Sequence, residues 1–595
     1  MTRKAVTLCA AGALLLAAVA SAVVMVSGRP AADPSAPAPA TATDDGDPIR
    51  GPLFTDVTAS SGVNFTYRNG EEANHYSILE SLGGGVALFD YDGDGLLDVF
   101  VTGGGYFDGP DNKQIKGHPN RLYKNLGGWR FRDVTSEAGL DGPLFYSHGC
   151  AVGDFDNDGW PDLLVTGYGR LALYRNDHGK FIDVTARMGL DDPGPQHWST
   201  SAGWADLDGD GWPDLFVAHY VDWSFRNHPP CGPDGGPVDI CSPRRFDPLP
   251  AALYLNRGGK RFERQTEAGI KAGAGLGVLL ADLDGDGLVD VFVANDTTGN
   301  FLYLNRGRGR FEEASLGAGV ACDDIGHPLG SMGVDAADCD GSGRPSLFVT
   351  NFEGEDPALY LNDGGGRFRY ASRVSRVATL GRNFVGFGTG FLDFDRDGQS
   401  DLVIANGHVL RHPPYATRAQ KPVLLHNLRK PTDPPGRARF ADASASGGSY
   451  FAAPHTGRGL AFGDLDNDGK IDLVISHLNE PIVLLRNTAE ATSGSLGVAL
   501  RGKAPRDPVG ARLTLVQGEA RQVRAINGGG SYLSSNDSRV VFALAPGDFR
   551  LTVRWPSGRE QSWDGAALGR DHYVTLEEGE ERVRPSSGAP VAHGD

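Results

Sequence analysis

One acidic loop occurs seven times along the chain, and it limits the possible folds more than any other feature. The first copy reads Asp90-Tyr-Asp92-Gly-Asp94-Gly-Leu-Leu-Asp98, and the others begin at Asp154, Asp206, Asp282, Asp338, Asp393 and Asp464. Starts spaced by about 50 to 75 residues are the mark of an array or a propeller. Each copy is flanked in the same order. An apolar strand enters, as in Gly-Val-Ala-Leu-Phe before Asp90, and a β-branched strand leaves, as in Asp98-Val-Phe-Val-Thr102. Leu-Tyr-x-Asn follows (Leu122–Asn125, Leu253–Asn256, Leu302–Asn305, Leu359–Asn362), and then a Gly-x-Phe strand. Four strand-length segments per unit, repeated seven times, predict a seven-bladed β-propeller over residues 51–490. The Phe strand follows six loops, at Phe131, Phe181, Phe262, Phe311, Phe368 and Phe440, but not the seventh. Its missing copy is Phe54-Thr-Asp-Val-Thr58, ahead of the first loop. The N-terminal strand is therefore expected to complete the last blade and close the propeller, leaving no open edge.

Carboxylates at positions 1, 3, 5 and 9 of a glycine turn form the ligand set of a hard, oxygen-seeking cation, Ca²⁺. The expected ligands are Asp90, Asp92, Asp94 and Asp98; Asp154, Asp156, Asp158 and Asp162; Asp206, Asp208, Asp210 and Asp214. The later loops add Asp282, Asp284, Asp286 and Asp290; Asp393, Asp395, Asp397 and Asp401; Asp464, Asp466, Asp468 and Asp472. The fifth loop departs, with only Asp338, Asp340 and Ser342 and with Ser346 at position 9, and is expected to bind weakly or stay empty. About six or seven Ca²⁺ sites follow. An EF-hand needs a bidentate Glu at position 12, where this chain has Val101, Val165, Val217, Val293, Val349, Ile404 and Ile475. Plain turn formation by Asp would explain one loop. Six complete sets of clustered carboxylates need a counter-charge.

The formal net charge of −19 is largely these carboxylates; seven divalent cations add +14 and bring it to −5. No basic face is visible, which argues against a nucleic-acid partner. Arg3 and Lys4 precede an apolar run to about Val26, so residues 1–28 read as a signal peptide or an N-terminal membrane anchor. Residues 29–50 are a Pro/Ala-rich linker expected to be disordered, as is a tail over 578–595. The working part is thus expected outside the cytoplasm: secreted, periplasmic or at the cell surface. Cys231 and Cys241 bracket a Pro/Gly loop and are expected to form a disulfide. Cys322 with Cys339 is a second candidate pair, and Cys150 reads as a buried thiol. Residues 495–577 alternate apolar and polar positions and carry no acidic loop. They predict a small antiparallel β-sandwich or barrel, packed on or tethered to the propeller. Within it, Gly528–Asn536 reads as a structural turn.

These loops, with the Asp-Leu-x-Val strand after them, resemble the FG-GAP/VCBS repeats of integrin α-subunit propellers. Asp507-Pro-Val-Gly-Ala-Arg-Leu-Thr514, Gly528-Gly-Gly-Ser-Tyr-Leu-Ser-Ser-Asn536 and Val553-Arg-Trp-Pro-Ser-Gly558 resemble an ASPIC/UnbV domain. The whole is similar to bacterial members of the cartilage acidic protein family, and the resemblance covers about residues 51–577. It implies that positions 1, 3, 5 and 9 ligate metal from the hairpin between the first two strands of each blade. It also implies that the connections after the second strand emerge on the opposite, partner-binding face. Five residues past the last loop Asp stand Gly103, Gly167, His219, Asn295, Asn351, Asn406 and His477. With Tyr220, Trp223 and His408, these polar side chains form the candidate ligand face. They read either as a binding funnel or as ordinary strand terminators.

Two functions are then open. One is an exported, calcium-binding module for adhesion to an extracellular protein or glycan, acting as a monomer without catalysis. The other is an extracellular polysaccharide hydrolase or lyase using residues such as His219, Tyr220, Asp222 and His408. The fold alone does not choose between them.

Overall fold

The computed structural model describes residues 51–586, apart from 143, 192–196, 234 and 492. The expected signal or anchor, the linker and the last nine residues of the tail lie outside the described residues. Among the described residues, no helix is long and apolar enough to cross a membrane.

Seven antiparallel sheets each carry one acidic loop between their first two strands; six have four strands, and the fourth sheet gains a fifth strand from Gly528–Gly529. The first sheet runs Val86–Phe89, Asp98–Val101, Arg121–Asn125 and Phe131–Asp133. The seventh comprises Gly457–Gly463, Asp472–His477 and Val483–Asn487, and its fourth strand is Phe54–Asp56 from the other end of the chain. Phe54 lies opposite Asn487 and Asp56 opposite Leu485. The first strands lie side by side in succession, and Gly457–Gly463 also lies beside Val86–Phe89. Apolar side chains fill the space between neighbouring sheets: Phe89, Phe100 and Leu122 meet Leu163 and Val165, and the seventh sheet's Val474 and Leu484 meet Leu88 and Val99 of the first. The first strands are buried along their whole length in several sheets, as in Ser199–Ala205 and Gly386–Leu392. Such close approach needs small residues. A Cβ on Gly203 would fall 1.9 Å from Leu280, and one on Gly388 would fall 2.6 Å from Leu460.

Residues 494–585 form two sheets packed through Leu496, Val498, Leu513, Leu515, Phe542, Leu551, Val553 and Trp563. One contains Val540–Leu544, Gly494–Arg501, Tyr573–Glu577 and Arg584–Pro585; the other contains Ala520–Ala525, Arg512–Gln517, Arg550–Arg554 and Glu560–Asp564. The domain is not wholly antiparallel, because Gly494–Arg501 pairs in parallel with Tyr573–Glu577. Alternation of apolar residues is the same for either direction of pairing, so the sequence pattern could not distinguish them. The first part of the expected tail is also ordered into the domain, with Arg584 opposite Thr575.

The glycine-rich segment is more than a turn. It leaves the domain and threads between the first strands of all seven sheets. Leu88 N–H donates to Ser535 O at 3.0 Å and Cys150 N–H to Leu533 O at 3.0 Å, while Leu533 N–H donates to Ser201 Oγ at 3.0 Å. Gly530 N–H reaches Val278 O at 2.8 Å, and Val334 N–H reaches Ser531 O at 3.0 Å. Ser531 Oγ accepts from Thr389 N–H at 3.2 Å and donates to Leu460 O at 2.7 Å. Tyr532 and Leu533 are completely buried. Gly529 and Gly530, at φ of 70° and 96°, let the backbone turn where side chains would be strained. Cys231 and Cys241 form the expected disulfide, whereas Cys322, Cys339 and Cys150 are free thiols.

Candidate metal centres

In the first loop the turn is organised around Asp90. Its Oδ1 accepts from Gly93 N–H at 2.8 Å and Asp94 N–H at 3.1 Å, and its Oδ2 from Gly95 N–H at 2.8 Å. Asp94 Oδ1 accepts from Leu96 N–H at 3.0 Å. Asp98 is fully buried and accepts from Tyr91 N–H at 3.1 Å and Asn125 N–H at 2.7 Å. The position-3 carboxylates differ: Asp92, Asp156 and Asp466 each have a buried Oδ1 with no hydrogen-bond partner. Three candidate ligand atoms lie within 4.8 Å of one another for Asp90, Asp92 and Asp94, for Asp154, Asp156 and Asp162, and for Asp206, Asp208 and Asp210. The same holds for Asp282, Asp284 and Asp290, and for Asp395 and Asp397 with His426.

The electrostatics fit a cation. Burial, reinforced by neighbouring carboxylates, pushes Asp214 and Asp290 up to about 8 and Asp154 up to about 7. Burial likewise holds Asp98, Asp162, Asp401 and Asp472 well above the usual carboxylate range. A divalent ion bound by these oxygens would offset that cost and take up the partnerless position-3 oxygens. The chain supplies part of the counter-charge itself. Lys124 pairs with Asp92 and Asp94, Arg175 with Asp156 and Asp158, Arg257 with Asp208, Arg306 with Asp284 and Asp286, His426 with Asp395 and Asp397, and Arg486 with Asp466 and Asp468.

The fifth loop lacks that side-chain cation as well as two carboxylates: its outer strand has Leu361, Asn362 and Asp363 where the others place a base. Ser346 Oγ takes over the contact to Asn362 N–H, at 3.2 Å. Asp338 Oδ1 and Asp340 Oδ2 remain buried without partners. Two charges are lost from the ligand set, but a competing base is lost with them.

The sequence reading assigned no role to the Asn of Leu-Tyr-x-Asn, and the structure gives it one. Asn125 Nδ2 donates to Leu97 O of its own loop at 3.0 Å and to Leu465 O of the seventh loop at 2.9 Å. Asn176 joins Pro161 O to Tyr91 O, Asn256 joins Pro213 O to Phe155 O, and Asn305 joins Val289 O to Leu207 O. Asn362, Asn427 and Asn487 continue the series through Leu283 O, Cys339 O and Phe394 O. Each loop is thereby tied to the one before it. The signal was visible as an Asn at the same place in every repeat: Asn176 follows Leu173-Tyr174 as the others do, whereas Asn427 and Asn487 follow Leu-Leu, which hides them from a Leu-Tyr pattern.

The candidate ligand face is not an open polar ring. His219, Tyr220, Trp223, Asn295, Asn351, Asn406, His408 and His477 are all buried. His219 Nδ1 lies 2.7 Å from Pro250 O, and His477 Nδ1 lies 2.7 Å from Pro481 O. Asn295, Asn351 and Asn406 donate at 2.8 Å to Gly299 O, Asp356 O and Lys421 O. They hold the ends of their own connections, which corrects the funnel expectation in favour of strand termination. Tyr220 and Trp223 belong to an apolar cluster with Trp198, Phe107, Phe246 and Tyr532. The long connections fold over this end and carry its polar contacts, including Arg411 with Glu80 and Arg418 with Glu71.

The C-terminal domain sits on the acidic loops. Tyr573 Oη donates to Asp464 Oδ2 at 2.7 Å, and Arg539 donates to Asp464 O and Asn467 Oδ1 at 2.8 Å. Arg524 lies 3.6 Å from Asp393, and Arg506 N–H donates to Asn157 Oδ1 at 2.9 Å. The sixth-position glycines face the domain: Gly159 meets Arg506, Gly211 meets Ala504, Gly287 meets Arg554, and Gly469 meets Ser495.

Sequence comparison matches the FG-GAP-like repeat at residues 90–165, 154–217, 282–349 and 338–404, and ASPIC and UnbV at residues 501–583. Human cartilage acidic protein 1 is 25% identical over 545 residues, 85% of this chain and 72% of that protein. Integrin alpha-3 of Cricetulus griseus is 29% identical over 154 residues, 24% of this chain and 14% of that protein. Among solved structures, an Agrocybe aegerita lectin that recognises non-reducing terminal N-acetylglucosamine is similar at 16% identity and a TM-score of 0.36, over 67% of this chain and 87% of that one.

Proposed function

We infer, for a chain that carries FG-GAP-like repeats and an ASPIC and UnbV domain and is a distant relative of cartilage acidic protein 1 over most of its length, that it is a calcium-stabilised binding module working outside the cytoplasm. Its seven sheets are read as the blades of one closed propeller. The pairing of Phe54–Asp56 in the seventh sheet and the Asn125 bridge from the first loop to the seventh support that reading. The observation that carries the metal assignment is the set of buried, partnerless position-3 oxygens in loops that already gather three ligand atoms. The apolar N-terminal run and the Cys231–Cys241 disulfide support export. The partner is an extracellular protein or glycan, met on the outer surface of the connecting loops and not on the buried strand ends.

Chelation tests the first half. Bound calcium at a hundredfold excess over its Kd contributes about 2.7 kcal/mol per site, so EDTA should lower the melting temperature sharply and calcium should restore it. An unchanged melting temperature would remove the metal from the reading. Glycan and envelope-protein arrays probed with the purified protein test the second half.

A polysaccharide hydrolase or lyase remains the alternative, and one observation favours it. Asp296 accepts from Tyr220 Oη at 2.5 Å, and Glu355 accepts from Gly330 N–H at 2.8 Å beside it. Burial raises Asp296 to about 6 and Glu355 to about 7, values suited to proton transfer near neutral pH. Release of reducing ends or unsaturated sugars from a screened polysaccharide, abolished by Glu355→Gln, would establish that reading in place of the first.

A further inference from the structure

A cavity of about 760 Å³ lies between the acidic loops and the C-terminal domain. The loops contribute carboxylates to its lining, and the domain contributes Arg501, Arg506, Arg512, Arg524 and Arg554. Arg524 has Asp393 at 3.6 Å. Among the described residues, no carboxylate lies within 4.0 Å of a side-chain nitrogen of Arg501, Arg506, Arg512 or Arg554.

Two of these side chains are forced together by the sheet. Arg512 and Arg554 stand directly opposite each other on neighbouring antiparallel strands. Like charges in that position repel and destabilise the pairing. The exposed Arg521 adds like charge beside Arg512, since a Cβ on Gly343 would lie 3.0 Å from a nitrogen of each, while Arg554 approaches the neighbouring loop at Gly287. Burial lowers the pKa of Arg512, and Arg521 lowers it further; Asp338 and Asp282 act in the opposite sense from beyond ion-pair distance. If these residues only packed the domain on the loops, neutral side chains would serve without the repulsion. Two half-buried guanidiniums on adjacent strands without a carboxylate are an incomplete charge arrangement, and partial withdrawal from water makes the missing partner more costly.

We propose that this cavity binds a small oxyanion on Arg512 and Arg554, the two arginines of its lining that face each other across the sheet. The planar fork of each guanidinium matches the paired oxygens of a carboxylate, sulfate or phosphate group. The space exceeds that of a bare ion and falls in the range that holds a small organic ligand. The oxyanion is therefore either a free inorganic ion or the acidic group of a sugar acid. Both use the same arginines. The site does not depend on which cation fills the loops.

Calorimetric titration of the purified full chain with sodium sulfate and with sodium glucuronate, each against sodium chloride of equal ionic strength, tests this. One saturable equivalent is expected; sulfate alone would assign a free ion, and tighter glucuronate binding a sugar acid. Arg512→Gln and Arg554→Gln should each weaken binding at least tenfold. Arg550→Gln, on the same strand as Arg554 but paired with Asp564 at 2.9 Å, should leave it unchanged. If either Gln variant fails to fold, Arg512→Lys decides: it keeps the charge and gives up the fork, and should bind at least threefold more weakly with an unchanged melting temperature. The proposal is overturned if neither anion saturates above the chloride control, or if folded variants bind as the wild type does.

Discussion

The asparagines that tie successive loops together are small side chains in a demanding position. Asn305 is buried, and its amide satisfies two carbonyls on two different loops, Leu207 O at 2.9 Å and Val289 O at 3.0 Å. Asn305→Ala removes both bonds and strands both acceptors away from water, so it should cost about 2–4 kcal/mol in urea unfolding. A cost below about 0.5 kcal/mol would show that water replaces the amide and that the bridges carry little energy. Asp156 makes the matching case for charge. Its Oδ1 is partnerless while its Oδ2 holds Arg175 Nε at 2.7 Å. Asp156→Asn keeps the shape and halves the oxygens, so the purified variant should carry about one calcium fewer per chain by elemental analysis. An unchanged calcium content would remove Asp156 from the ligand set.

Among the elements, the threaded segment meets the first strand of every sheet. Tyr532 is completely buried with its ring 4.9 Å from that of Phe387, and its neighbours hydrogen-bond strands from opposite ends of the chain. Tyr532→Ala should cost about 3–5 kcal/mol, as for other large aromatic side chains removed from a packed interior. A cost near zero would mean that the segment passes between the sheets without holding them. The segment also shows where sequence reasoning stops. The loops, the strands beside them and the exchange of Phe54 into the seventh sheet were legible because each repeats and can be counted. Gly528–Asn536 occurs once, so no internal comparison shows what it touches, and glycine followed by small polar residues reads the same in a turn as in a packed strand. Strand Glu560–Asp564 is poorly legible for a related reason: Trp563 is its one apolar residue, too few for alternation to register. His219 and His477 were placed at the correct strand ends, but burial beneath connections of their own chain is a long-range property that local pattern does not carry.

For the whole molecule, the domains should not melt separately. The C-terminal core is continuous with residues of the third and fourth sheets, including Phe216, Val278 and Val291. A single unfolding transition is expected for the purified protein, and two resolved calorimetric peaks would contradict it. Acid should weaken that structure through buried histidines. Burial holds His219 and His477 down to about 4, against about 6.5 in an unfolded chain. The unfolded chain therefore binds protons at pH values where the folded protein does not. Stability should be full above about pH 6.5 and fall between about 6.5 and 4, by up to about 3 kcal/mol for each histidine. The measurement belongs in excess calcium, so that the loop carboxylates do not titrate over the same interval. His219→Gln with His477→Gln should flatten the profile; an unchanged slope would assign it to other groups.

The seventh sheet takes its fourth strand from residues 54–56, and the centre takes its filling from residues near 532. Translation makes the first of these parts long before the second. While the chain is still being made, the earlier sheets can pair locally, yet the middle of the assembly stays hollow and lined with donors and acceptors that have no partners. Completion is therefore an event that follows synthesis. A chain that cannot finish its own centre until residues near 532 arrive keeps its sheets loosely joined until then, and gains its full rigidity in one late step.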